Sequence, residues 1–140
     1  MIGEVLIPTD GSKGAHRGME HGLDIAERYG ACVHVLFVVD ERRFGPLCAF
    51  GSDELAIEQV EETGESLVSE VAAAAEERGL DVVASVRRGV PCEVILAYSE
   101  EHDVDLIVIG KHGISGRKPV HVGSTTDRVI RSSEVPVLPA

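Results

Sequence analysis

The sequence has few aromatic and few basic residues, and both shortages restrict what the protein can do. Of its 140 residues only three are Phe and two are Tyr, and Trp is absent. The chain therefore has few rings on which nucleic-acid bases could stack. Its 13 Lys and Arg stand against 24 Asp and Glu, which gives a net charge of −11. Because such a chain repels phosphate backbones, we expect no binding to nucleic acid.

Long apolar runs and paired cysteines are also missing. No apolar run approaches the roughly 20 residues of a membrane span, and the N-terminus MIGEVLIPTDGS does not resemble a secretory signal. Cys32, Cys48 and Cys92 form neither a disulfide framework nor a CxxC pair. We therefore expect a cytoplasmic protein with no membrane association. Cys48 is interpreted as a spectator thiol, with redox sensing as the less favoured alternative.

Short runs of Val, Ile and Leu alternate with longer amphipathic segments. Continuous apolar runs indicate strands buried on both faces of a parallel sheet, and they occur at residues 5–7, 33–39, 82–86, 106–109 and 135–138. Pro136 restricts the last of these to a sheet edge. The helical patterns cover residues 13–29, 52–78, 91–102 and 125–132. Ser12 is a candidate N-cap and Gly30 a stop signal for the first. This regular alternation predicts one α/β domain, residues 1–140, with helices on both faces of the sheet.

A glycine-rich segment follows the fourth predicted strand. Gly110-Lys111-His112-Gly113 leaves the strand, and Gly123-Ser124-Thr125 opens the last helix. Ligands of open α/β sheets bind at the carboxyl ends of the strands, and a helix N-terminus offers free N–H groups to an anion. Five bases and one acid between residues 110 and 131 add a local positive charge. The segment predicts a phosphate site, with a surface loop rich in turn glycines as the alternative.

Two common nucleotide motifs are absent. There is no GxxxxGK[ST], so the chain is not a P-loop NTPase, and the first strand ends in Pro8-Thr9-Asp10-Gly11-Ser12 rather than GxGxxG. The histidines also lack metal-ligand spacing such as HExxH, so we expect no metal site made by protein groups alone.

The spacing G-x2-G-x9-G-[ST], present as Gly110, Gly113, Gly123 and Ser124, resembles the ATP-binding motif of the universal stress protein family. The opening VLIPTDGS, the turn VDLIVIGKHG and the closing SSEVPVLP resemble that family as well. The resemblance implies a five-stranded parallel sheet of order 3-2-1-4-5 and a cytoplasmic stress role. It also implies a homodimer, which we place at the C-terminal strand, residues 135–138. The spacer 114–122 departs from the family, because it contains Pro119 and His121 where a Leu-rich stretch is usual.

The resemblance also assigns candidate ligand contacts. Asp10, flanked by Pro8 and Thr9, matches the acid near ribose and adenine, and Val38 matches the position whose backbone reads the adenine edge. The phosphate and ribose cradle corresponds to Gly110, His112, Gly113, Gly123, Ser124 and Thr125. For Asp10 and His112 the alternatives are a turn residue and a free surface histidine. The implied cofactor is ATP, with Mg²⁺ or Mn²⁺ held mainly by its phosphates.

No catalytic constellation is evident in the sequence, so three functions stay open. The favoured one is a regulatory module whose bound ATP determines an unidentified signalling partner. The second is a slow ATPase or phosphotransferase that uses the same site, and the third is a structural dimer with a vestigial site.

Overall fold

Five parallel strands form one sheet at the centre of the molecule. The computed structural model describes residues 2–44, 52–111 and 123–140. The strands are β1 (Glu4–Pro8), β2 (Cys32–Asp40), β3 (Val82–Gly89), β4 (Leu106–Ile109) and β5 (Val137–Pro139). Their order is β3-β2-β1-β4-β5 and every pairing is parallel. This arrangement confirms the predicted fold class and strand order.

Helices cover both faces of the sheet, as the continuous apolar strands require. They are α1 (Lys13–Tyr29), α2 (Ser52–Glu77), α3 (Pro91–Glu101) and α4 (Ser124–Ser132), with a short 3₁₀ helix at Glu41–Phe44. Helices α1 and α2 bury one face of the sheet, and α3 and α4 bury the other. The predicted signals at α1 are confirmed, because Ser12 Oγ accepts from Ala15 N–H and Gly30 ends the helix at a φ of 65°.

Helix α1 packs against the sheet through glycines as well as through the buried Ala15, Leu23 and Ala26. Gly14, Gly18 and Gly22 are all buried, and a Cβ at Gly22 would lie 2.6 Å from Ile7 Cδ1. A Cβ at Gly18 would lie 3.1 Å from Gly110 N. The glycines bring the helix axis close to β1 and β4, which a stripe of larger residues would prevent.

The last strand begins later than the sequence predicts. The expected range 135–138 becomes Val137–Pro139, because Val135 is held in a local turn by the Ser133 side chain. Ser133 Oγ donates to Val135 C=O and accepts from Val135 N–H, at 2.8 and 3.1 Å. The strand does lie at the sheet edge, as Pro136 predicted.

Candidate functional site

A cavity of about 240 Å³ opens at the carboxyl ends of the strands. It lies at the centre of the sheet, where β1 has β2 on one side and β4 on the other. From β2 the chain continues outward to β3, and from β4 it continues outward in the opposite direction to β5. This reversal of strand order is the position at which open α/β sheets bind ligands.

Most of the sequence-predicted site residues line this one cavity. The structure brings together Pro8, Thr9, Asp10, Val38, Gly110, Gly123, Ser124 and Thr125. They come from β1, β2, the end of β4 and the start of α4, and they meet because parallel strands end at the same edge. The remaining two predicted residues, His112 and Gly113, lie outside the described residues, as does Cys48.

Asp10 forms a turn that leads from β1 into α1. Its Oδ1 accepts a hydrogen bond from Ser12 N–H at 2.9 Å, and Ser12 Oγ accepts from Ala15 N–H at 3.1 Å. Gly11 between them has a φ of 81°, a conformation that favours glycine. Thr9 N–H donates to Leu36 C=O at 2.9 Å, which ties the turn to β2. Asp10 is therefore a turn residue whose half-buried carboxylate also lines the cavity.

The start of α4 presents backbone N–H groups to the cavity. Gly123 is the N-cap, and the first helical bond runs from Asp127 N–H to Gly123 C=O. The N–H groups of the first turn have no partner within the helix. The buried Thr126 hydroxyl donates to Gly110 C=O at 2.6 Å, and Gly123 N–H donates to Lys111 C=O. These two bonds fix the helix start against the end of β4.

Gly110 has a packing role that the motif does not reveal. A Cβ at this position would collide with the backbone of Gly14 and Ala15. Backbone atoms cannot move aside as a side chain can, so the glycine is required for α1 to pass over the end of β4. Gly123 differs, because its φ of −61° and ψ of 155° suit any residue.

The sequence analysis missed an apolar wall and an ion pair of the cavity. Leu36, Phe44 and Val60 line it beside Val38, and only the apolar character of these positions could have suggested them. Asp40 also lines the cavity and accepts from Arg42 Nε and Nη2 at 2.9 and 3.0 Å.

Arg42 stabilises the ionised form of Asp40. Its guanidinium hydrogen bonds hold the pKa of the Asp40 carboxyl below the ordinary value, against the opposing effect of burial. Asp40 is therefore ionised at neutral pH, and its charge is already paired.

Two carboxylates, Asp10 and Asp40, line the cavity and could face a cation brought by a nucleotide. Mg²⁺ usually keeps several waters and uses one or two carboxylates together with substrate phosphates. Asp40 is occupied by Arg42, whereas one oxygen of Asp10 accepts a single backbone N–H. The donor set is therefore compatible with a metal held mainly by the nucleotide phosphates.

In the described parts of the chain, no helix combines the length and the apolar character needed to cross a membrane.

Comparison with known proteins gives one consistent family. The model of the universal stress protein family matches residues 1–139. The universal stress protein MJ0531 of Methanocaldococcus jannaschii is 36% identical over 135 residues, covering 96% of this chain and 79% of that protein.

Solved structures agree with this result. The structure of the protein MJ0577 matches with a TM-score of 0.90 at 28% identity, covering 100% of this chain and 96% of that chain. MJ0577 is a universal stress protein of Methanocaldococcus jannaschii. An Archaeoglobus fulgidus universal stress protein in complex with dAMP matches with a TM-score of 0.66 at 20% identity, covering 99% and 97% of the two chains. At that identity the likeness concerns the fold alone. Together, the fold, the strand order and the match along residues 1–139 show that this chain belongs to the universal stress protein family.

Proposed function

We propose that this chain is a cytoplasmic ATP-binding regulatory protein of the stress response. The observation that carries the proposal is the convergence of Asp10, Val38 and the α4 N-terminus on one cavity. Bound ATP would select the state in which the protein meets its signalling partner. The fold neighbour solved in complex with dAMP is compatible with an adenine nucleotide in such a fold.

The adenine end of the ligand belongs beside β2. Leu36, Val38, Phe44 and Val60 provide an apolar wall there, which suits the faces of a purine ring. At the end of β2 the backbone of Val38 offers polar groups to the base edge. The Asp10 carboxylate, next to Pro8 and Thr9 at the end of β1, would accept a hydrogen bond from the nucleoside.

The phosphate end belongs at the start of α4. The free N–H groups of the first turn and the positive end of the helix dipole attract anions, and the hydroxyls of Ser124 and Thr125 add donors. The motif assigns His112, Gly113 and Gly110 to the same cradle. An accompanying Mg²⁺ or Mn²⁺ would be held mainly by the phosphates.

Substitutions at Asp10 test the nucleoside contact. Asp10→Asn keeps an oxygen that can accept from Ser12 N–H but removes the charge, so we expect the fold to survive. Loss of one charge-assisted hydrogen bond costs about 1.5–3 kcal/mol, which corresponds to roughly 10- to 150-fold weaker binding of both ATP and AMP. Isothermal titration calorimetry measures both affinities directly.

Asp105→Asn is the matched control for this experiment. The Asp105 carboxylate also accepts backbone N–H groups, from Gly3 and Glu4 at 2.8 and 2.9 Å, but it lies at the amino ends of the strands. It should leave both affinities unchanged. If Asp10→Asn binds both nucleotides as the unmodified protein does, Asp10 serves the turn alone and the assignment is wrong.

The two remaining functions make different predictions for the same site. A slow ATPase or phosphotransferase would turn over bound ATP, and Gly113→Val would remove that turnover together with binding. A regulatory protein binds without appreciable turnover. A structural dimer retains no nucleotide after purification, which mass spectrometry of the small molecules released on denaturation would show.

We infer that β5 forms the homodimer interface. The carbonyl of Pro136 accepts from Ile107 N–H, and Ala140 N–H donates to Ile109 C=O, so both residues direct their backbone toward β4. Because backbone direction alternates along a strand, Val137 and Pro139 direct theirs to the free edge. Pro139 has no N–H, which leaves Val137 as the centre of a symmetric antiparallel pair.

Light scattering tests this interface. The dimer has twice the 14.9 kDa mass of the chain, and Leu138→Lys should reduce the mass to that of the monomer. Leu138 is exposed, so the fold should tolerate the change. Leu55→Lys, at an exposed leucine of α2, should leave the dimer intact. A wild-type protein that stays monomeric at high micromolar concentration would contradict the inference.

A further inference from the structure

A second cluster of polar side chains lies at the amino ends of the strands, at the opposite end of the sheet from the cavity. Glu4 begins β1 and pairs in register with Cys32, which begins β2. His34 is two residues further along β2 and therefore faces the same side as Cys32. The carboxylate, thiol and imidazole ligand atoms of these three residues all lie within 4.8 Å of one another.

The imidazole of His34 is held on both sides. His34 is 5% exposed, with Nδ1 2.7 Å from Tyr98 Oη and Nε2 2.6 Å from Glu4 Oε2. When Nδ1–H donates to Tyr98, the Nε2 lone pair faces a carboxylate oxygen. Two acceptors at that distance require a proton or a metal cation between them.

Tyr98 is itself fixed by its neighbours, so it can orient His34. It is fully buried in α3, its ring stacks on His102 with centroids 4.1 Å apart, and the Arg87 guanidinium carbon lies 4.7 Å from the ring centroid. Metal-binding histidines almost always donate their second ring N–H to a fixed partner of this kind.

We propose that Glu4, Cys32 and His34 form a binding site for a zinc-class divalent cation, ligated by Oε, Sγ and Nε2. Sulfur and imidazole ligands favour zinc and disfavour Mg²⁺. The geometry requires little rearrangement. Zinc bonds of about 2.0 Å to N and O and about 2.3 Å to S place tetrahedral ligand atoms roughly 3.3–3.6 Å apart. The contact between His34 Nε2 and Glu4 Oε2 must therefore open by about 0.7 Å.

The partly exposed Glu4 and Cys32 allow access from solvent, and a water would complete the fourth position. Burial is the main reason that the pKa of the Cys32 thiol is raised to about 11. The thiol is therefore protonated at neutral pH in the metal-free protein. Binding forms the Zn–S bond and releases the thiol proton to solvent.

This site is separate from any metal that accompanies a nucleotide. Pro8 at the cavity lies four residues after Glu4 along the extended strand, which corresponds to about 13 Å. The proposal departs from the sequence-based expectation of no metal site made by protein groups alone. That expectation considered only ligand spacing along the chain, whereas these ligands come from two strands and meet through the strand register.

Titration with Co²⁺ in place of zinc tests the proposal, using the reduced, chelator-stripped full chain without nucleotide. We expect one equivalent to bind, with visible d–d bands and a thiolate-to-cobalt charge-transfer band. Cys32→Ser should abolish the charge-transfer band. Cys92→Ser and Cys48→Ser, at the two other cysteines, should retain it.

Zinc affinity, measured by competition with a chelating dye, tests the positioning role of Tyr98. Tyr98→Phe should weaken zinc binding about 10- to 100-fold, the usual effect of removing an outer partner. Zinc should also raise the melting temperature of the wild type but not of Cys32→Ser. A wild type without the charge-transfer band, or a Cys32→Ser variant that binds as tightly, would reduce the cluster to a hydrogen-bonded triad and overturn the proposal.

Discussion

The hydrogen bond from Thr126 to Gly110 should contribute measurably to stability. Thr126→Val keeps the shape of the side chain but removes the hydroxyl that donates at 2.6 Å. Thr126 is 4% exposed, so the Gly110 carbonyl would stay buried without this partner. A buried polar group that loses its partner costs about 1–3 kcal/mol. In a domain of this size the loss corresponds to a fall of roughly 3–9 °C in Tm.

Urea unfolding without nucleotide measures this free energy, and Thr63→Val is the control. The Thr63 hydroxyl donates to Gln59 C=O at 3.0 Å, but the residue is exposed on α2. Water can replace that bond, so the change should stay within about 0.5 kcal/mol. If both variants lose the same small amount of stability, the Thr126 bond does not anchor α4, and the reasoning is refuted.

Three further predictions concern other parts of the molecule. Gly22→Ala places a Cβ 2.6 Å from Ile7 Cδ1 and should lower the free energy of unfolding by about 1–3 kcal/mol. Adding Ile7→Val, which removes that Cδ1 atom, should restore part of the lost stability. No recovery in the double variant would contradict the close packing. Because the pKa of Asp40 is lowered in the fold, its ionised carboxylate stabilises the folded state above about pH 4. This contribution to stability is lost as the pH falls through the lowered pKa. Arg42→Ala should therefore raise the Asp40 pKa in an NMR titration, and an unchanged value would disprove the pairing. The raised pKa of Cys32 should make its alkylation in the metal-free protein at pH 8 at least 10-fold slower than that of free cysteine, whereas an equal rate would show an accessible, ordinary thiol.

The fold could be predicted from the sequence because its signals are local. Continuous apolar runs identified the strands, and Ser12 and Gly30 marked the ends of α1. The eight predicted site residues that the structure describes meet in one cavity. They do so because parallel strands end at the same edge, which follows from the fold class alone. The last strand was misplaced because the Ser133 side chain competes for the backbone of Val135.

Other features depend on how helices and strands pack and pair, which local sequence patterns do not predict. The close approach of α1 to Gly110 and the hydrogen bond from Thr126 to Gly110 both follow from how elements pack. The cluster of Glu4, Cys32 and His34 depends on the register of β1 against β2. One signal was available, since a Cys-x-His pattern in an otherwise apolar buried strand places two metal-ligand side chains on one face.

The central claim is that the cavity at the carboxyl ends of the strands binds ATP. Titration of the ¹⁵N-labelled protein with ATP and Mg²⁺ tests it most directly, because amide shifts report both binding and its location. We predict saturable shifts at Thr9, Val38, Ser124 and Thr125, and none at His34 on the opposite edge. The absence of saturable shifts at millimolar ATP, or shifts confined to other surfaces, would contradict the account.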